Sequence, residues 1–139
     1  MISLFLMILA GICNAVMDKL QFNYDSSIFK NLNPLFWDPR VSWKNQWQQP
    51  MVPPYKYWWY FGLYVPRYQE HYIYSNTILV FTTDAWHLAK AFMLLWISLA
   101  IVSYSTIFNF WADAFIMYCA FTITFTYFYE YILDAKDSD

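Results

Sequence analysis

Apolar positions fall into three blocks along the chain, and one long aromatic and polar stretch separates the first block from the others. The first block, residues 2–17 (ISLFLMILAGICNAVM), carries no charge. As a helix it is about 24 Å long at 1.5 Å per residue. That is slightly short of a ~30 Å hydrocarbon core, so it spans by drawing Asp18 to the boundary or by thinning the bilayer. The second block, residues 77–104, would be about 42 Å long as one helix; residues 88–104 are its lipid part and the first third projects beyond. STIFN at 105–109 reads as a turn, and 107–133 as a third helix with Asp113 near its start and Glu130 near its end. Residues 134–139, DAKDSD, form a charged tail. The pattern predicts an all-α membrane protein, one domain with three transmembrane helices.

Residues 19–76 break both periodicities. They hold all six prolines, five of the eight tryptophans and six of the eight Lys and Arg residues. Pro50, Pro53, Pro54 and Pro66 forbid a long helix, and Asn33-Pro34 and Asp38-Pro39 signal turns. Leu20, Tyr24, Ile28 and Phe29 trace one face of a short helix over 20–31. Trp37, Trp43 and Trp47 alternate with Arg40 and Lys44, a mixture suited to anionic headgroups. The run from Tyr55 to Tyr74 reads as an extended or re-entrant piece. This segment is expected to form an aromatic-rich interfacial cap between the first two helices.

Composition agrees with a bilayer. The chain is 60% hydrophobic, 24% aromatic and 13% charged, about half the charge of a soluble domain. A net charge of −2 with no basic stripe excludes nucleic acid as a partner. Cys13 and Cys119 lie in apolar runs and read as small hydrophobes. Two glycines in all argue against a GxxxG-type helix pair. A signal peptide is the rival reading of the first block, but no Lys or Arg precedes Lys19. The basic residues between Lys19 and Arg67 place the cap and C-terminus in the cytoplasm and the N-terminus outside.

Candidate chemistry centres on Asp84, His87 and Lys90, spaced three apart on one side of a helix. Ionisable groups beside hydrocarbon are costly unless paired, which makes them functional candidates. Depth counting brings Asn14, Asp18, Asp84, His87 and Glu130, with Asp38, to one boundary. Asp84 and His87 then form a general-base pair, the carboxylate fixing the imidazole tautomer. Alternatively Asp18, Asp84, His87 and Glu130 hold a divalent metal. The plainer reading makes Asp84 a tether paired with Lys90 or Lys19, and Asp113 a snorkelling surface charge. With two histidines, a poly-His centre is excluded by counting.

Three stretches, N-A-V-M-D (Asn14 to Asp18), F-W-D-P-R-V-S-W-K-N (Phe36 to Asn45) and T-D-A-W-H (Thr83 to His87), resemble small uncharacterised integral membrane proteins of bacterial and phage genomes. The resemblance implies that these stretches belong together and brings no activity with it. The expected function is that of an accessory or envelope-associated membrane subunit, oligomeric and working through protein or lipid contacts. The alternatives are a metal-assisted interfacial enzyme acting on a lipid or isoprenoid phosphate, and a holin-like pore former.

Overall fold

The computed structural model describes residues 1–48 and 70–135, together with the backbone of 56–60 and 63–67. The expectations for Pro50, Pro53, Pro54 and the last four residues of the tail lie outside the described residues. The fold is all-α apart from one small hairpin. Its long helices are α1 (Ile2–Phe22), α4 (Ala85–Val102) and α5 (Phe110–Tyr127), and two single-turn helices lie between them, α2 (Pro34–Trp37) and α3 (Pro39–Ser42). Strands β1 (Lys56–Tyr60) and β2 (Leu63–Arg67) pair antiparallel, Lys56 opposite Arg67 and Tyr60 opposite Leu63. Two of the helices, α1 and α4, are long and apolar enough to cross a membrane.

Helix α1 is central. It packs against both α4 and α5, which hardly touch each other. The hydroxyls of Ser3 and Ser103 meet at 3.4 Å, and Trp86 Nε1 donates to Gln21 Oε1 at 3.2 Å, so α1 and α4 run antiparallel. Gly11 lies against Phe121, and Lys19 Nζ donates to the Tyr129 carbonyl at 3.1 Å, so α1 and α5 run parallel. Small residues permit these approaches: Ala10, Gly11 and Ala15 are buried on α1, and Ala85, Ala89 and Ala100 on α4. A Cβ on Gly11 would stand 2.6 Å from the Phe121 carbonyl oxygen. One glycine therefore does here what a GxxxG pair does elsewhere.

Several boundaries differ from the sequence expectation. Helix α1 continues five residues past Met17, because Asp18 to Phe22 include no helix breaker, and at 21 residues it is about 31 Å long. The expected helix over 20–31 is absent. Instead Asn23 leaves helical geometry at φ −138°, a single 3₁₀ turn covers Tyr24–Ser26, and Ser27 Oγ donates to the Tyr24 carbonyl at 2.7 Å. The second long helix starts at Ala85, not at 77. Asp84 is its extended N-cap residue (φ −158°), and residues 77–83 form turns. Thr77, Ile78, Val80, Thr82 and Thr83 are β-branched and lose side-chain freedom in a helix. The hydroxyls of Thr82 and Thr83 bond back to local carbonyls instead. Helix α5 starts at Phe110, capped by Asn109, and ends in a wide π turn at Phe128–Ile132.

The core lies where the C-terminal end of α1, the start of α4 and the end of α5 meet residues 23–37. Ala15, Leu20, Tyr24, Phe29, Ala85 and Leu133 are buried there, with Phe36, Trp37, Trp86 and Phe125 around them. Phe29 stacks on Trp37 at 4.8 Å between ring centroids. Burying Leu20 alone contributes about 1.5–3 kcal/mol. Segment 23–37 is thereby fixed to the same helix ends that carry the polar residues. At the other end Asp113 corrects the surface-charge expectation. It is buried and accepts from Tyr104 Oη (3.0 Å), Ile107 N (2.8 Å) and Phe108 N (3.1 Å), closing the α4–α5 loop.

Candidate functional site

The polar centre is built on the first turn of α4. Asp84 Oδ1 accepts from the His87 backbone N–H at 2.9 Å, the ordinary bond of an N-cap carboxylate. Its other oxygen, Oδ2, lies 2.7 Å from His87 Nδ1 and 3.1 Å from the Thr83 hydroxyl. Burial pushes the Asp84 carboxyl up, but the bonds from His87 and Thr83 outweigh it and hold the group below the usual carboxylate range. Asp84 is thus ionised at neutral pH and can only accept, so Nδ1 of His87 carries a proton, and a ring with a single proton has its lone pair on Nε2. Among the described residues Nε2 makes no hydrogen bond.

This pair opens onto a recess of about 190 Å3 lined by Gln21, Pro39, Ser42, Trp43, Asp84, Trp86 and His87. At ~30 Å3 per water the volume holds on the order of six waters, or one functional group and a short length of chain. Three separate parts of the sequence shape it. The Gln21–Trp86 bond closes one wall. Asn45 Nδ2 donates to the Leu35 carbonyl and, at 3.0 Å, to the Thr83 carbonyl, which anchors the α2–α3 region beside Asp84. Asp38 caps α3, accepting from Arg40 N at 2.9 Å, and takes further bonds from the Arg40 guanidinium. Those Arg40 bonds hold the Asp38 carboxyl below its usual range.

The expected boundary cluster divides in two. Gln21 lies on the opposite face of α1 from Lys19 and Asn23, at about 100° per residue. Asn14 and Asp18 are half-buried on the Gln21 side, and neither makes a polar contact with Asp84 or His87 among the described residues. Glu130 is exposed in a different, polar recess of about 480 Å3, with Lys19, Asn23, Ser26, Tyr129 and Asp134. Lys19, expected beside Asp84, is buried and instead pairs with Asp134, its Nζ also 4.6 Å from the Tyr129 ring centroid. Lys90 likewise does not reach Asp84. It is exposed, 4.9 Å from the centre of the Trp86 ring. Among the described residues no three His, Cys, Asp or Glu side chains gather as metal donors.

Nothing in the residue pattern singles out Ser42, Gln21 or Thr83. All three acquire a role from the way α3, α1 and α4 meet, and Ser42 is distant from His87 in sequence. Of the three stretches noted above, residues 36–45 and 83–87 supply six of the seven recess residues, and Ala15 lies in the core beneath Trp86. The larger apolar recess at the opposite end, about 230 Å3 between Met7, Ala100, Tyr104 and Met117, has no carboxylate or imidazole among its described lining residues. No family model, curated protein or solved structure matches this chain.

Proposed function

We propose that this chain is an integral membrane protein with an acid–base site at the bilayer boundary, where Asp84 orients His87 for proton transfer on a lipid-borne substrate. In this reading α5 is a third span beside α1 and α4, and the described residues between α1 and α4 lie on the cytoplasmic side. The observation that carries the site is the 2.7 Å Asp84–His87 contact, with Nε2 unbonded at the recess among the described residues. Support for the bilayer comes from surface that the chain leaves uncovered. Only 17% of α4 is buried inside the molecule, and Leu94, Leu99, Ile101 and Val102 are exposed. A soluble core helix would be mostly covered. Among the described residues no third His, Cys, Asp or Glu joins Asp84 and His87 at the recess, so the proton-transfer reading needs fewer additions than the metal-assisted one.

Diethyl pyrocarbonate tests the site. Protein in lipid vesicles should be modified at Nε2 of His87 as well as at the exposed His71, read by peptide mass spectrometry. Modification confined to His71 would remove His87 as a base. A second reading, an accessory subunit that associates with other membrane proteins, is favoured by the bare face of α5. Phe110, Trp111, Phe115, Tyr118 and Ile123 are each at least 64% exposed there. Cross-linking in native membranes through a cysteine at Tyr118 would reveal that association.

A further inference from the structure

We propose that Ser42 is the nucleophile of a Ser42–His87–Asp84 acyl-transfer set whose substrates are carboxylic esters of membrane lipids. The proposal rests on the reading of His87 as a base. Four serines are buried among the described residues: Ser3, Ser27, Ser42 and Ser75. Three have partners. Ser3 meets Ser103, Ser27 donates to the Tyr24 carbonyl, and Ser75 donates to the Gln46 carbonyl at 2.6 Å. Ser42 is 2% exposed and makes no side-chain hydrogen bond among the described residues. Its oxygen is not sealed off, since among the described residues the fully buried polar atoms without a partner are Tyr24 Oη and Asn76 Oδ1, and the residue lines the recess that also holds His87 and Asp84. Its backbone is well held, because Ser42 N donates to the Asp38 carbonyl at 2.8 Å and Asp38 is locked by Arg40.

The lining selects the substrate class. Pro39, Trp43 and Trp86 give apolar walls suited to an acyl chain, and among the described residues neither Lys nor Arg lines the recess. An ionised carboxylate with no lining cation disfavours a phosphate and tolerates a neutral ester. Gln21 accepts from Trp86 through its oxygen, which leaves its NH2 as the donor available to an oxyanion. In the reaction, Ser42 Oγ attacks the ester carbonyl carbon and its proton passes to His87 Nε2. The C–O bond to the alcohol then breaks and His87 returns the proton to the departing alkoxide. Water attacks the acyl-Ser42 carbonyl and gives its proton to His87, the bond from the acyl carbon to Ser42 Oγ breaks, and His87 returns the proton to Oγ, releasing a carboxylic acid with Ser42 restored. The net change is ester plus water to acid plus alcohol. Asp84 is a positioning residue, acting through His87.

A fluorophosphonate probe on the full chain in detergent tests this. Wild type should carry the adduct on Ser42, located by peptide mass spectrometry, and Ser42→Ala should carry none while eluting and melting as wild type does. His87→Gln should label at least about a hundredfold more slowly, the lower bound for loss of a general base. Asp84→Asn should slow labelling and also change the tautomer seen in ¹⁵N spectra of His87, a signal that mere destabilisation would not produce. Should Ser42→Ala fail to fold, Ser42→Cys replaces it, and the introduced thiol should then react with iodoacetamide faster than Cys13 or Cys119. Wild type that takes no phosphonate, or takes it elsewhere, overturns the proposal. If His87 is nonetheless modified by diethyl pyrocarbonate, the base survives and only the nucleophile falls. If it is not, both fall.

Discussion

Gly11 sets how closely α1 and α5 approach, since the neighbouring atom is a backbone oxygen that cannot rotate away. Gly11→Ala should therefore cost about 1–3 kcal/mol as overpacking, measured by thermal unfolding in detergent, whereas a helix-propensity argument alone predicts a gain. The Lys19–Asp134 pair makes an asymmetric prediction. Lys19 is 3% exposed and Asp134 44%. Asp134→Ala strands a buried ammonium and should approach the ~3 kcal/mol of a broken buried pair, while Lys19→Met leaves a carboxylate that water can reach and should cost less. Denaturant titration of both variants checks the order. Asp38 and Asp84 both sit below the usual carboxylate range in the folded chain. A depressed folded value means that their contribution to stability is full above the unfolded value of about 3.9 and drains away as pH falls through the lower folded values. Melting temperature should thus fall on acidification below about pH 4, and Asp38→Asn should flatten that dependence. Equal slopes in wild type and Asp38→Asn would contradict the assignment.

At the scale of elements, the apolar runs were legible and their ends were not. Residues 2–17 announced α1, but its last turn holds the polar Asp18, Lys19 and Gln21, and the partners of Lys19 and Gln21, Tyr129 and Trp86, come from other helices. The start of α4 was misplaced because Asp84 reads equally as an interior acid and as a cap; the β-branched run before it was the available signal. Asp113 looked like a surface charge because two of its three partners are loop N–H groups, which any residue type but proline can supply. The Asp84–His87 spacing of three was readable, since both bonds are local to one helical turn. Ser42 was not, because no periodicity links α3 to α4. The cap role of Asp84 carries its own prediction. Asp84→Ala should cost about 0.5–2 kcal/mol through loss of the cap, and Asp84→Asn less, because an amide oxygen still accepts from His87 N. Thermal unfolding of the two variants side by side checks that order.

At the scale of the molecule, the three long helices bring their chemistry to one end. The C-terminal end of α1, the start of α4 and the end of α5 meet beside residues 23–48, while the α4–α5 loop lies at the other end, closed on Asp113. The apolar sides of α4 and α5 face outward between these ends. Such a molecule is suited to a bilayer, and the proposed topology would set the recess at the level of lipid esters. The most direct test is an impermeant maleimide applied to cells producing Asn31→Cys or Thr106→Cys in a Cys13→Ala, Cys119→Ala background, both positions being exposed. Thr106→Cys should react in intact cells and Asn31→Cys only after permeabilisation. Labelling of both from the same side, or recovery of the protein in the soluble fraction, would contradict a chain that crosses the membrane with its recess at the inner boundary.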